Sequence, residues 1–352
     1  MRLALRGGNP LERAALRANL VPTPAAEAWG GLAASGVLVA AVRTGIVARL
    51  ASAPARAADI ARDLGLAPTP TRLLLDCLVA AGHARCSRDG SVRLARRNRR
   101  WLDPESEVGV ARFVNACGDY FDWWRDLDRL IVTGAPVEHH DRPPDDPYWR
   151  RYILGQLDLA RLSAAEVARR LTLPAGATRV LDVGGGHGWY AATLCRRHPG
   201  LTATVLDLPG SARIGREVIE AAGLGHRVAF VEGDARIADF PEDQDAVLCF
   251  NLLHHLTETE IPALFARAAA ALKPGGTLAV LDAFAEPPGP GRGRGNPAAT
   301  HLALFVRLTS GSTIHAQGEL AGWFRDAGFE PPRRVRSARI PGLALYQAAK
   351  RR

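Results

Sequence analysis

The chain's clearest chemistry lies in a carboxylate set beside a run of glycines. Asp182 precedes Val183-Gly184-Gly185-Gly186-His187-Gly188. The short apolar run of Val180, Leu181 and Val183 stops at those glycines, which reads as a buried parallel strand entering a tight turn. Without a Cβ, the turn can take positive φ and come close to a ligand. A helix is expected over 189–197, so the pattern is strand, glycine turn, helix, the nucleotide-binding start of a doubly wound α/β sheet. A second apolar run, 202–206, ends at Asp207, about 20 residues further on, where a carboxylate can accept from ribose hydroxyls. The spacing Gly184-x-Gly186-x-Gly188 is not that of a dinucleotide loop, and Asp182 would repel a pyrophosphate but suits a cationic ligand.

Other residues have chemistry to offer. The cluster Tyr120-Phe121-Asp122-Trp123-Trp124 lies in a helical stretch, 108–130, and reads equally as an apolar acceptor pocket or as core. His139-His140-Asp141 sits in a Pro- and Asp-rich loop, 133–147, where adjacent residues do not supply metal-ligand geometry; no metal is expected.

Regular elements must position these groups. From residue 180 the α/β pattern repeats: strands over 228–232, 245–250 and 277–281, with Gly233-Asp234-Ala235, Asn251 to Leu256 and Asp282 at their ends. Helices are expected over 258–272, 301–308 and 319–329, and closing strands over 334–340 and 344–348. The segment 286–296 is rich in Gly, Pro and Arg and reads as a mobile loop. A long amphipathic helix over 148–171 connects to the N-terminal part. There, 25–50 shows apolar residues at helical spacing, punctuated by glycines that allow close helix contact with a partner subunit. Short helices follow over 57–66 and 69–82, the second with Thr69 as N-cap and Gly82 as C-cap, then a hairpin over 84–94 turning at Asp89-Gly90. Helix, turn, helix, hairpin is a winged helix. Leu73, Leu74, Leu75 and Leu78 make its second helix apolar, which favours a structural module over a DNA reader.

At 352 residues, two domains are the natural prior. Charged residues are 23% and hydrophobic residues 47%, ordinary values for a globular protein. No apolar run reaches the ~20 residues of a membrane span, and the first ten residues lack the apolar core of a secretory leader. Five scattered cysteines without a CxxC pair read as reduced thiols, so a cytoplasmic protein is expected. The net charge of +9 is spread along the chain rather than clustered, so no nucleic-acid partner is expected.

Taken together, Leu181-Asp-Val-Gly-Gly-Gly-His-Gly188, Gly233-Asp-Ala235 and Leu272-Lys-Pro-Gly-Gly276 resemble the class I small-molecule O-methyltransferases. These use S-adenosylmethionine (SAM) and carry an N-terminal winged-helix dimerisation domain. The likeness covers roughly 25–348. It implies that Asp182, Gly184 and Gly186 hold the methionine part of SAM, that Asp207 and Leu208 meet ribose and adenine, and that Asp234 and Ala235 frame the adenine. Phe250 and Asn251 fall on the adenine or sulfonium side. His254 falls on the position of the family's general base, with His255 and His301 as lesser candidates. The family's Asp-Trp after that histidine is replaced by His255-Leu256, so His254 is either the base or pocket wall. The later glutamate that steadies the base has no secure counterpart; Gln317 and Glu319 lie near its place. Tyr120, Phe121, Trp124, His301 and Phe305 are the expected acceptor pocket. Methyl transfer from a sulfonium chiefly needs alignment, and a histidine of ordinary pKa, ~6.5, can take a hydroxyl's proton.

The expectation is therefore an α/β Rossmann-like SAM domain over 174–352, preceded by a mostly helical winged-helix dimerisation domain over 1–105 and a helical acceptor-pocket region over 106–173. The expected reaction is O-methylation of a small aromatic or polycyclic natural-product intermediate, leaving S-adenosylhomocysteine, in a homodimer with no membrane or nucleic-acid partner. C- or N-methylation, or other chemistry on the SAM site, is the alternative within the class. A SAM-responsive winged-helix regulator is the alternative outside it.

Overall fold

The computed structural model describes residues 7–137, 139–285, 297–336 and 342–352. The expected 286–296 loop, and residues 337–340 of the closing strand, lie outside them. The chain divides into two compact units, Met1–Gly118 and Asp119–Arg352, with the division inside one helix.

The first unit begins with α1 (Pro10–Arg17), capped by the Asn9 side chain, which accepts from the Glu12 N–H. The stretch 25–50 with helical spacing forms two helices, α2 (Thr23–Arg43) and α3 (Ile46–Ser52), because Gly45 turns left-handed at φ 80°. By length and composition α2 could cross a membrane, contrary to the sequence expectation; in this unit it is largely exposed, with Trp29 at 75% and Leu32 at 64%. Two short helices follow, α4 (Ala57–Leu64), stopped by left-handed Gly65, and α5 (Pro68–Ala80). The N-cap of α5 is Ala67 rather than Thr69: Pro68 takes the first helical position, where no N–H is needed. The hairpin β1 (Ala84–Cys86) and β2 (Val92–Leu94) forms as expected, and α6 (Arg96–Leu102) closes the unit. Ile46, Leu50, Ile60, Leu75, Leu78 and Leu94 share its core.

The division falls within α7 (Ala111–Arg125), and the second unit continues with α8 (Leu127–Thr133) and α9 (Pro147–Arg170). Its sheet contains β3 (Arg179–Val183), β4 (Thr202–Asp207), β5 (Val228–Glu232), β6 (Gln244–Phe250), β7 (Leu272–Asp282), β8 (Arg333–Val335) and β9 (Ala344–Ala349). Helices α10 (Trp189–Arg197), α11 (Pro209–Ala221), α12 (Ile261–Ala271), α13 (Pro297–Ser310) and α14 (Gln317–Asp326) surround it.

The strand order is β5-β4-β3-β6-β7-β9-β8, parallel except for β9, which runs antiparallel to both neighbours. This is the expected doubly wound architecture. Central strands covered on both faces read as continuous apolar runs, and every residue of β6 is buried. One core lies under α9 and α10, the other under α12 and α14. The order reverses between β3 and β6, and the crevice beyond their carboxyl ends is where such sheets bind ligands.

Candidate active site

Parallel register brings the sequence-distant acids to one edge. Val183 pairs with Leu206, so Asp182 and Asp207 stand at adjacent strand tips. Asp182 is fully buried, and neither carboxylate oxygen has a hydrogen-bond partner. Burial, and then the charge of Asp207, push its pKa up to about 7. The turn wraps it closely: a Cβ on Gly185 would lie 2.6 Å from Asp182 Cγ. Gly184, Gly186 and Gly188 all have positive φ, which fits their place in the sequence. Asp207 ties this turn to the next strand. Its Oδ2 accepts from the Gly186 N–H at 2.7 Å and its Oδ1 from the Leu208 N–H at 2.7 Å. Burial raises its pKa despite those two donors.

Asp234 and Ala235 follow β5. Asp234 is engaged in a bidentate pair with Arg236, whose Nε donates to Oδ1 at 3.1 Å and whose Nη2 donates to Oδ2 at 2.7 Å. Burial opposes its ionisation, but the Arg236 bonds hold the carboxyl below its ordinary value. Phe250 packs edge-on against Tyr190 at 5.1 Å. Asn251 takes φ 52°, unusual for a residue with a side chain, and its N–H meets the Leu281 carbonyl at 2.7 Å. An unpartnered buried carboxylate, a second carboxylate at the strand tip and a glycine turn form an acceptor set that fits a cationic amine and ribose hydroxyls. The residues present therefore fit SAM.

On the acceptor side, a 3-10 turn (Leu253–His255) follows β6. Phe250 pairs with Leu281, so the residues just past β6 stand beside the last residue of β7, Asp282. His254 Nδ1 lies 2.6 Å from Asp282 Oδ1. Asp282 is 1% exposed and also accepts from the Ala283 N–H at 2.7 Å. A carboxylate on Nδ1 fixes the neutral ring with its proton there and leaves Nε2 with the lone pair. The histidine's carboxylate partner is thus Asp282, not Gln317 or Glu319. Its strand-end position was legible in the sequence; its closeness to His254 was not.

Around this pair the structure gathers more imidazoles than the sequence suggests. The His255 ring lies 4.3 Å from His254 and 5.3 Å from His140, and its Nδ1 is buried without a partner. Burial and the neighbouring histidines hold His255 and His140 well below the usual range. His139 is 3% exposed and donates from Nδ1 to the Thr309 carbonyl at 2.8 Å; burial pushes it down to about 4. The described part of the expected loop segment has no regular structure between α8 and α9 and is exposed over 141–145, but it turns His139 inward. Tyr120, Trp123, Trp124 and Phe305 form one aromatic group, with Tyr120 and Phe305 centroids 5.0 Å apart. Tyr148, Trp149 and Tyr152 of α9 adjoin it. Phe121 is not in that group, and His301 is exposed on α13.

Comparison with known proteins places the chain in a family. A model of the O-methyltransferase domain matches residues 133–330. The chain is 29% identical over 330 residues to 3-hydroxy-5-methyl-1-naphthoate 3-O-methyltransferase of Streptomyces sahachiroi, spanning 90% of this chain and 92% of that one. It is 28% identical over 322 residues to the tetracenomycin polyketide synthesis 8-O-methyl transferase of Streptomyces glaucescens, spanning 88% and 90%. The fold also matches human N-acetylserotonin methyltransferase, solved in complex with SAM, with a TM-score of 0.81 at 19% identity, covering 99% of this chain and 100% of that one. The chain belongs to the O-methyltransferase domain family and is a SAM-dependent methyltransferase of the natural-product type.

Proposed function

We propose that the enzyme methylates a hydroxyl of a small aromatic or polycyclic acceptor, with His254 as general base. The observation that carries this reading is the 2.6 Å contact between His254 Nδ1 and buried Asp282. SAM supplies the methyl group on a sulfonium. Asp182 receives the cofactor's amine, Gly184 and Gly186 leave its backbone room, and Asp207 and Leu208 hold ribose and adenine, with Asp234, Ala235, Phe250 and Asn251 around them. Nε2 of His254 takes the acceptor's proton as the oxygen attacks, and Asp282 steadies the imidazolium that forms. The aromatic group of Tyr120, Trp123, Trp124 and Phe305 offers flat apolar walls to a flat acceptor. The two Streptomyces relatives, by their names, act on a naphthoate and a polyketide, which supports that acceptor class. His301, exposed, has at most a place at the pocket's rim. We place the pocket region in 106–173, the assembly as a homodimer through the N-terminal unit, and the protein in the cytoplasm.

Turnover of His254→Ala on a phenolic acceptor is expected to fall by ~10²-fold or more, with cofactor affinity near wild type. The loss shrinks for an acceptor already ionised, which needs no base. Asp282→Asn lowers turnover in the same acceptor-dependent way, because it no longer holds the required tautomer. Equal losses on ionised and neutral acceptors would reduce His254 to pocket wall, and product analysis by mass and NMR would expose methylation at carbon or nitrogen.

A further inference from the structure

On another face of the turn that carries His254, two carboxylates converge on one imidazole. Glu258 follows that turn, His315 precedes α14, and Glu319 lies in its first turn; a ligand atom of each lies within 4.8 Å of the others. His315 is 3% exposed. Its Nε2 lies 3.0 Å from both the Leu253 and the Leu256 carbonyl oxygens. A ring nitrogen facing two acceptors carries the proton, so Nδ1 is the lone-pair nitrogen. That Nδ1 is buried and has no hydrogen-bond partner. Glu319 Oε2 accepts the Ala316 N–H at 2.7 Å, which leaves Oε1. Neither Glu258 nor Glu319 has a cationic partner among the described residues.

We propose that Glu258, His315 and Glu319 bind a divalent first-row metal ion of the zinc class. One imidazole with two carboxylates is a donor set for such ions, whereas calcium and magnesium take oxygen alone. A metal-bound histidine typically donates its other ring N–H to a carbonyl or carboxylate, which fixes the tautomer, and His315 already does this twice. Glu258 is exposed, so water can complete the coordination. The two carbonyls that His315 holds belong to Leu253 and Leu256, which flank His254 and His255. The ion therefore braces the turn from outside, away from the reacting atoms. It is distinct from the His139-His140-Asp141 segment.

The test uses the full chain stripped with EDTA and titrated with Zn²⁺ against a chromogenic chelator. Wild type is expected to bind one equivalent. Glu258→Gln and Glu319→Gln weaken it by ~10-fold or more. Both substitutions keep the side-chain shape, and glutamine at 319 can still accept the Ala316 N–H, so the fold is retained. Zinc raises the melting temperature of wild type by more than that of either variant. No stoichiometric zinc, or equal affinity in wild type and both variants, overturns the proposal. The readout is metal binding, so it stands apart from the role given to His254.

Discussion

Asp182 is the residue whose charge state the fold and, in the proposed role, the cofactor set in opposite directions. In the ligand-free protein burial raises its pKa to about 7, against an ordinary value of 3.8. A raised acid gives stability that is fully present below the ordinary value and is lost as pH rises through about 7. The melting temperature should therefore fall between about pH 4 and pH 7, and less so in Asp182→Asn. A cationic amine on the carboxylate favours the ionised form. Cofactor affinity should then rise with pH by up to about tenfold per unit below 7, and level off above it. Calorimetry of S-adenosylhomocysteine binding at pH 6, in buffers of different ionisation enthalpy, should detect a released proton. Flat pH dependence would remove Asp182 from the amine's site. The placement of Asp182, Asp207 and the glycines at strand ends was legible because it follows from local chain geometry. His140 was not: its neighbours Asp141, Pro143 and Pro144 read as surface loop. What His139 meets inside is the Thr309 carbonyl, 170 positions away.

Among the elements, β6 decides whether the site assembles. It must stop abruptly so that the 3-10 turn can deliver His254 to Asp282, and it stops at left-handed Asn251. Asn251→Val forces a β-branched residue into that conformation and is expected to cost about 1–3 kcal/mol in urea unfolding, with turnover lowered as His254 shifts. Asn251→Gly should keep the backbone path and lose less stability. Equal stability loss in both would show that the side chain, not the φ angle, matters. The strands were readable because two-sided burial makes them apolar runs; β7 begins five residues earlier than the sequence suggests, at Leu272, because the Lys-Pro-Gly-Gly stretch continues it. The pairing of His254 with Asp282 was not readable. It depends on the register of β6 against β7, which no local pattern encodes. Glycines weakening the helix over 25–50 were readable, but not which of them breaks it; Gly45 does.

For the whole molecule, the exposed apolar face of α2 bears on assembly. Trp29 and Leu32 are 75% and 64% exposed, and the glycines around them, Gly30, Gly31 and Gly36, have open space at their Cβ positions. A second copy is the proposed cover. Sedimentation should find wild type dimeric at micromolar concentration, and Trp29→Glu with Leu32→Glu monomeric and folded. Wild type that is monomeric, or that floats with liposomes, would overturn this. The antiparallel placement of β9 reaches further, into synthesis. Strand β7, with Asp282 at its tip, leaves the ribosome about 60 residues before β9, the strand that covers its far side. Strand β8 emerges earlier than β9, though it pairs only with β9. Throughout that interval one flank of β7 is an open, apolar row of backbone donors and acceptors, a template for pairing with another nascent chain. Slowing the ribosome between residues 282 and 344 should therefore lengthen the exposure of the strand that carries Asp282.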